Sequence, residues 1–387
     1  MGQQITEGKG HKARKIILRT LAVLGILVLL VLSFAAFSYF HLKSFFTTPE
    51  RVDDRGRLYY TEYTGDYDSP FVTFIFDKIK PVRSGGCSAF YTESSDGGYR
   101  TGRNYDLPHM DKNGNTTGLN LVVSCSPEGR YKSIGVADIA MLSRIGLNYV
   151  EASLDKGQLT DVLLALAPHI CVDAINEKGL AVAILALDLK EGETAVFQTA
   201  EGKESDIITG VLRRIIDNCA SVEEAVELAK NINLINTFGA DFHIFVTDAD
   251  GNSAAFEWRY NTLVVTYTDM ITNFYVAYDD AEDCYIDGGL KEKFVAPTEN
   301  PWNYKFGYGH GYERFKKIMA FKAERTASGS LKMSNAEITE VLKAVSQEYT
   351  GERTSLTQYS AIYDNANRCL DLCVYPDYSK VYHYDIE

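Results

Sequence analysis

The sequence lacks the residue patterns of a zinc site and the charge of a nucleic-acid-binding protein. None of its seven cysteines forms a CxxC pair or has histidines at zinc-ligand spacing, so no metal site is predicted. Lysine and arginine number 39 against 52 aspartate and glutamate residues, giving a formal net charge of −13. Because nucleic-acid binding requires a basic face, we expect no nucleic acid among the partners. Internal repeats and low-complexity tracts are also absent.

Uncharged segments of membrane-spanning length are scarce, but one lies near the N-terminus, from Thr20 to Phe40. Five basic side chains precede it, at Lys9, Lys12, Arg14, Lys15 and Arg19. As a helix it would span about 31 Å, close to the bilayer hydrocarbon thickness, whereas the apolar region of a cleaved signal peptide is about 7–15 residues long. We predict a cytoplasmic N-terminus over residues 1–19, a single transmembrane anchor over 20–42 and an extracytoplasmic remainder.

The remainder divides into a charged, tyrosine-rich stretch at residues 43–86 and one domain at 87–387. The stretch has one strand-like run, Phe71–Phe76, and we interpret it as a spacer or pro-segment. The odd cysteine count leaves room for up to three disulfides and one free thiol, without identifying any pair. Cys369 and Cys373 would share one strand face, too far apart to bond each other.

Strand signals in the domain come in hairpin pairs, and helices fill the intervals between strand groups. The hairpins turn at Asn176–Gly179 and Asp248–Asn252. Helices are predicted at about Ser205–Asn218 and Tyr312–Arg325, and after Ser221 and Ser334, each followed three positions later by glutamate. Three strands close the chain, at about Gln358–Tyr363, Cys369–Val374 and Lys380–Tyr384. Antiparallel hairpins kept apart from helices predict a layered α+β sandwich.

One cysteine follows two glycines, in the run Gly85–Phe90, and its surroundings make it a nucleophile candidate. The strand starting at Cys87 is followed by the turn-forming run Glu93–Gly98 and by a return strand through Arg103. Folding about Ser95 would place Arg103 opposite Cys87. A guanidinium beside a thiol favours the reactive thiolate, whereas an inert buried thiol is the competing interpretation.

These motifs resemble the choloylglycine hydrolase and penicillin V acylase group of N-terminal-nucleophile hydrolases. The similarity covers the chain from Cys87 onwards and rests on five pieces in order: Cys87–Phe90 with Gly102–Asp106, Asn176–Val182, Thr272–Asn273, Glu313–Phe315 and Leu356–Ser360. The resemblance implies a four-layer αββα sandwich, with two antiparallel sheets between helical layers. It also implies a hydrolase that acts on linear non-peptide amide bonds without a cofactor.

The family's chemistry implies that Cys87 becomes functional after the Gly86–Cys87 bond is cut, which frees an α-amine on the nucleophile. By resemblance, Arg103 would stabilise the thiolate, Asp106 would hold the α-amine and the Asn273 amide would donate to the oxyanion. Arg314 would complete the polar network. The expected substrate is a small N-acyl amide, and a homo-oligomer is left open.

Two departures from the family keep alternatives open. Ala186 stands ten residues after Asn176, where bile-salt hydrolases have a second asparagine, and 86 residues precede the cysteine, as in the acid ceramidase and acylethanolamine amidase branch. The alternatives are an acyltransferase of the same fold and a catalytically silent membrane-anchored binding protein. A cysteine protease using a histidine is a further one, with candidates at His109, His169, His243 and His310.

Overall fold

A computed structural model describes residues 4–65, 67, 86–107, 109, 113, 117–139, 159–187, 198–235, 241–259, 261–276, 278–279, 284–285, 289–291, 311–348 and 355–386. The strand predicted at Phe71–Phe76 lies outside them. The α-helices are α1 (Gln4–Lys43), α2 (Ile208–Asn218), α3 (Val222–Ala229), α4 (Gly311–Ala327) and α5 (Asn335–Ala344), and a 3-10 helix spans Leu159–Ile170.

The strands occur in consecutive groups that are separated by these helices. In order they are β1 (Glu50–Arg51), β2 (Leu58–Tyr63), β3 (Ser88–Glu93), β4 (Tyr99–Asp106), β5 (Asn120–Cys125), β6 (Ser133–Asp138), β7 (Cys171–Asn176), β8 (Ala181–Leu187), β9 (Glu204–Ile207), β10 (Ile232–Ile235), β11 (Asp241–Thr247), β12 (Ser253–Arg259), β13 (Thr262–Tyr267), β14 (Met270–Ile271), β15 (Tyr278–Asp279), β16 (Cys284–Tyr285), β17 (Gly289–Lys291), β18 (Thr357–Asp364), β19 (Cys369–Val374) and β20 (Tyr382–Asp385).

Two large sheets lie between helical layers, which confirms the predicted αββα sandwich. The ten-stranded sheet has the order β1-β2-β5-β6-β7-β8-β11-β12-β13-β17, and the six-stranded sheet has the order β14-β3-β4-β18-β19-β20. One buried cluster joins the ten-stranded sheet to α2 and α3, and a second includes the facing sides of both sheets together with α4 and α5. The expectation of purely antiparallel sheets was wrong, because β2–β5 and β13–β17 are parallel pairs.

The helices form largely where the apolar spacing and the capping residues predicted them. α2 begins at Ile208 rather than near Ser205, because residues 204–207 pair with β10 as a strand instead. Its buried residues recur at helical spacing and pack on the ten-stranded sheet. Ser221 and Ser334 each cap a helix by accepting a hydrogen bond from the backbone N–H three residues on.

The hairpin between β7 and β8 explains the Asn176–Val182 motif as a structural device. Asn176 Oδ1 accepts hydrogen bonds from the backbone N–H groups of Lys178 at 3.0 Å and Leu180 at 3.1 Å. Its Nδ2 donates to the carbonyl oxygen of Ile216 in α2 at 2.9 Å and to that of Cys219, the residue after α2, at 2.8 Å. Gly179 has a φ of +82°, and a Cβ there would lie 2.1 Å from the Asn365 carbonyl oxygen, so only glycine fits this turn.

The segment before the nucleophile belongs in part to the ten-stranded sheet. α1 contains one stretch, Leu18–His41, that is long and apolar enough to cross a membrane. After it, β2 pairs in parallel with β5 over six residues, from Leu58 opposite Asn120 to Tyr63 opposite Cys125. Leu58 and Tyr63 are fully buried. Residues 58–63 of the stretch interpreted as a spacer or pro-segment therefore form an inner strand of the ten-stranded sheet.

The six cysteines whose side chains the structure describes are all free thiols, at Cys87, Cys125, Cys171, Cys219, Cys369 and Cys373. Burial raises the pKa of Cys125 to about 11 and the pKa values of Cys219 and Cys369 to about 12. These thiols are protonated at neutral pH and pack as small apolar groups.

Candidate active site

The nucleophile candidate and its predicted arginine lie on neighbouring strands of the six-stranded sheet. The predicted register was wrong, because Ala89 rather than Cys87 lies opposite Arg103. The reversal is centred one residue later than expected, where Gly97 and Gly98 close the turn with φ angles of +105° and +70°. Alternate residues of a strand share a face, so Cys87 and Ala89 point the same way, and Arg103 lies diagonally across the strand pair from Cys87.

Arg103 is fully buried and is held in place from the ten-stranded sheet. Its Nε donates to Asp173 Oδ2 at 3.1 Å, and the same carboxylate accepts from the hydroxyls of Tyr359 and Tyr363. Burial alone lowers the pKa of Arg103, but the neighbouring Cys87 and Asp173 outweigh burial and raise it. The guanidinium therefore stays charged, and its hydrogen bonds fix its orientation beside Cys87.

The backbone of Cys87 is held by two of the other predicted site residues. Its N–H donates to Asn273 Oδ1 at 2.7 Å, and its carbonyl oxygen accepts from Arg314 Nη1 at 2.5 Å. Arg314 also donates to Asn273 Oδ1 at 2.5 Å and to Ser88 Oγ at 2.6 Å. Cys87, Asn273 and Arg314 are all buried. The structure therefore brings Arg314, whose motif lies far along the chain, into direct contact with the nucleophile.

Asp106 lies next to this group, with its Oδ2 3.5 Å from Arg314 Nη1. It accepts from Thr357 Oγ1 at 2.6 Å and from Gln347 Nε2 at 2.9 Å. Burial raises the pKa of Asp106, while Arg314 and these two donors act in the opposite direction. The Cys87 N–H donates to Asn273 Oδ1 and not to Asp106, and that Asp106 holds the α-amine after cleavage stays a prediction.

Asn273 was also predicted to donate to the oxyanion. Its Nδ2 donates to the backbone carbonyl oxygen of Ala186 at 2.5 Å, and its Oδ1 accepts from two donors. This contact places Ala186, the departure from the family pattern, at the site through its main chain. The oxyanion role of Asn273 stays a prediction.

The histidines considered as partners for a cysteine protease have other contacts. His109 Nε2 lies 2.8 Å from Asp138 Oδ2, and both ring nitrogens of His243 are bonded, to Glu257 and to the Thr272 carbonyl oxygen. His310 lies outside the described residues. Both nitrogens of His243 are thereby occupied, so His243 is not available to Cys87 as a base.

Three residues of the site escaped the sequence prediction. Asp173 anchors Arg103, and a carboxylate within the apolar run of residues 170–175 was the available signal, because an acidic side chain in a buried strand needs a partner. Gln347 and Ser355 contact Gly86 and lie just before the Leu356–Ser360 motif. Neither has a sequence signal, because glutamine and serine are ordinary loop residues.

Among the residues that the structure describes, one group of metal-ligating side-chain types occurs elsewhere, on strands β19 and β20. Ligand atoms of Cys369, His383 and Asp385 lie within 4.8 Å of one another. Both His383 nitrogens already have carboxylate partners, Asp371 at 2.6 Å and Asp385 at 3.2 Å. Because the His383 nitrogens bind carboxylates and the Cys369 thiol is protonated, we interpret this group as hydrogen bonding between neighbouring strands and not as a metal site.

Comparison with known proteins places this arrangement among its relatives. A family model described as acyl-coenzyme A:6-aminopenicillanic acid acyl-transferase matches residues 159–377, more than half of the chain. The chain belongs to this family. No curated protein matches it. The resemblance predicted to the choloylglycine hydrolase and penicillin V acylase group is confirmed by this match together with the shared fold.

Solved structures that are similar to this acyl-transferase family member are distant from it in sequence. Two are the conjugated bile acid hydrolase from Clostridium perfringens, as a cysteine-to-alanine mutant and as an arginine-to-leucine variant. Each is 17% identical, with 78% of this chain and 92% of that chain covered and a TM-score of 0.52. Penicillin V acylase from Agrobacterium tumefaciens is 16% identical, with 78% and 86% covered and a TM-score of 0.46.

Proposed function

We propose that this protein is a membrane-anchored cysteine amidohydrolase that cleaves linear N-acyl amides through an S-acyl intermediate on Cys87. The observation that carries the proposal is the surroundings of that residue. Its thiol lies beside the charged Arg103, and its backbone N–H donates a hydrogen bond to Asn273. The sulfur and the nitrogen that would become the α-amine after cleavage therefore lie in one polar site. Self-cleavage between Gly86 and Cys87 would expose the amine.

The exposed α-amine would serve as the base. An α-amine has a pKa of about 7.7–8.0, so about 10–20% of it is unprotonated at pH 7, against about 0.04% for lysine. The Cys87 sulfur attacks the substrate carbonyl while the amine accepts the thiol proton, as in hydrolases with an N-terminal threonine. The amine then returns the proton to the departing nitrogen, and water hydrolyses the thioester.

Hydrolysis is tested by separating substrate classes and products. Purified full-length protein in detergent is incubated with conjugated bile salts, penicillin V, N-acyl homoserine lactones and N-acyl ethanolamines. We expect release of a free acid and an amine from at least one class, together with a chain that starts at Cys87. An intact chain without turnover would instead support the silent binding protein.

A second candidate, transfer of the acyl group to an amine, is favoured by the match to an acyl-transferase family. Both reactions share the S-acyl intermediate and differ only in whether water or an amine attacks it. Adding amine acceptors to the same assay separates them, because transfer yields a new amide. If the new amide forms faster than the free acid, the hydrolase proposal is wrong.

We also propose that α1 anchors the enzyme with its N-terminus in the cytoplasm and its domain outside. The five basic residues before the apolar segment support this orientation. Residues 50–63 would then hold the cleaved domain to the anchor without a covalent bond. β2 supplies six paired residues, and Arg57 donates to the backbone oxygen of Tyr375 at 2.6 Å.

We expect the two fragments to remain together after cleavage at Gly86. Membranes carrying the expressed protein are washed with high salt and with alkaline carbonate, and both fragments are followed on denaturing gels. Because the contact buries Leu58 and Tyr63 within a continuous sheet, the catalytic fragment should stay in the pellet until the protein is denatured. Its appearance in the carbonate supernatant would refute this retention.

A further inference from the structure

The Gly86–Cys87 peptide bond, which we propose is cut, is surrounded by side chains that hydrogen-bond the Gly86 N–H, the Gly86 carbonyl oxygen and the Cys87 N–H. Ser355 Oγ accepts from the Gly86 N–H at 2.7 Å, and Gln347 Nε2 donates to the Gly86 carbonyl oxygen at 3.1 Å. On the other side, Asn273 holds the Cys87 nitrogen at 2.7 Å. Gln347 is 1% exposed and Ser355 is fully buried, so water does not compete strongly for these bonds.

We propose that Gln347 is the oxyanion donor of self-cleavage, a role that rests on the proposed function and concerns the bond after Gly86. Its Nε2 already points at the carbonyl oxygen on which negative charge would develop. A donor preorganised in a buried site stabilises that charge without reorganisation at the moment of reaction. Gln347 acts here on the chain itself, before any substrate binds.

The Gln347 side chain is fixed from both ends. The Gln347 backbone N–H donates to Thr357 Oγ1 at 2.7 Å, and the Gln347 backbone carbonyl oxygen accepts from the Thr357 N–H at 3.0 Å. Its Nε2 also donates to Asp106 Oδ2 at 2.9 Å and lies 3.3 Å from Ser355 Oγ. Its Oε1 is buried and has no hydrogen-bond partner among the described residues. The hydrogen bonds of Nε2 therefore set the orientation of the Gln347 side-chain amide, and Oε1 makes none to the described residues.

The reaction proceeds by acyl transfer from nitrogen to sulfur. The Cys87 sulfur forms a covalent bond to the Gly86 carbonyl carbon. The carbonyl π electrons move to the Gly86 oxygen, which accepts the hydrogen bond from Gln347 Nε2. The carbon–nitrogen bond then breaks, and the nitrogen takes the thiol proton and becomes the α-amine. Water adds its hydroxyl to the resulting thioester and its proton to the departing sulfur, leaving a Gly86 carboxyl and a free Cys87 thiol.

The test measures the rate of self-cleavage in the full chain. Wild type, Gln347→Met and Gln347→Glu are synthesised in a cell-free system with nanodiscs, synthesis is stopped, and the fraction starting at Cys87 is followed by mass spectrometry. Methionine keeps the volume and removes the donor, so Gln347→Met should cleave about 10²–10³-fold more slowly. Gln198→Met, at another buried glutamine, is the matched control and should cleave like wild type.

Gln347→Glu separates a donor role from a structural one through its pH profile. A protonated glutamate can donate to the oxyanion, whereas an ionised one beside Asp106 cannot, so its cleavage should accelerate as the pH falls. Cleavage of Gln347→Met at the wild-type rate, or a Gln347→Glu rate that falls with the pH in parallel with wild type, would overturn the inference about Gln347. Failure of the wild type to cleave would instead refute the proposed function.

Discussion

The chain with Cys87→Ala is expected to remain uncut at Gly86 and to lose amide hydrolysis entirely. The substitution removes the sulfur that attacks both the chain and the substrate, and loss of a nucleophile in a serine protease costs about 10⁶-fold in rate. The readouts are the N-terminal sequence of the purified protein and the rate of free acid release. Cys87→Ser should cut itself slowly, because a hydroxyl is a weaker nucleophile.

Cys219→Ala is the matched control for this substitution. Cys219 is as buried as Cys87, at 3% against 4% exposure, and burial raises its pKa to about 12, so it is not a nucleophile at neutral pH. This variant should start at Cys87 and hydrolyse substrate like wild type. A Cys87→Ala chain that still hydrolyses amides would disprove the chemistry, and one that is still cut after Gly86 would attribute cleavage to another protease.

The second large effect is expected from Asp173→Ala, which removes the anchor of Arg103. Arg103 would be left charged and fully buried with its Nε unpaired, and two tyrosine hydroxyls would lose their acceptor. Breaking a buried pair in this way costs about 3–5 kcal/mol. We expect a corresponding loss in the free energy of unfolding, measured by denaturant titration, together with slower self-cleavage because the guanidinium is no longer held at the thiol.

Asp96→Ala provides the comparison for a surface ion pair. Asp96 lies 3.1 Å from Arg100, but it is 69% exposed, and Arg100 keeps Asp364 at 2.8 Å. Exposed pairs contribute about 0–1 kcal/mol, so this variant should unfold close to wild type. Equal destabilisation by the two substitutions would show that Asp173 is not a buried anchor.

Much of the fold could be predicted because its signals are local. Ser221 and Ser334, each followed three residues later by glutamate, marked the starts of two helices from sequence alone. Strand β19 was predicted at its observed bounds, because the alternation of residues along one strand can be read without knowing which strands pair with it. The register of the β3–β4 hairpin was wrong, since the position of a turn depends on which glycines take positive φ. The parallel pairing of β2 with β5 joins strands far apart in sequence, and no local pattern specifies such a pairing.

Residue types at short spacing were enough to predict the apolar N-terminal segment, the layered α+β architecture and the nucleophile candidate with its arginine. The tertiary structure alone decided what surrounds Cys87. Asp173, Gln347, Asn273 and Arg314 come from separate elements, and their contacts with the nucleophile or its neighbours depend on how the two sheets and α4 pack. Burial changes the interaction energies of these polar groups, and burial exists only in the folded chain.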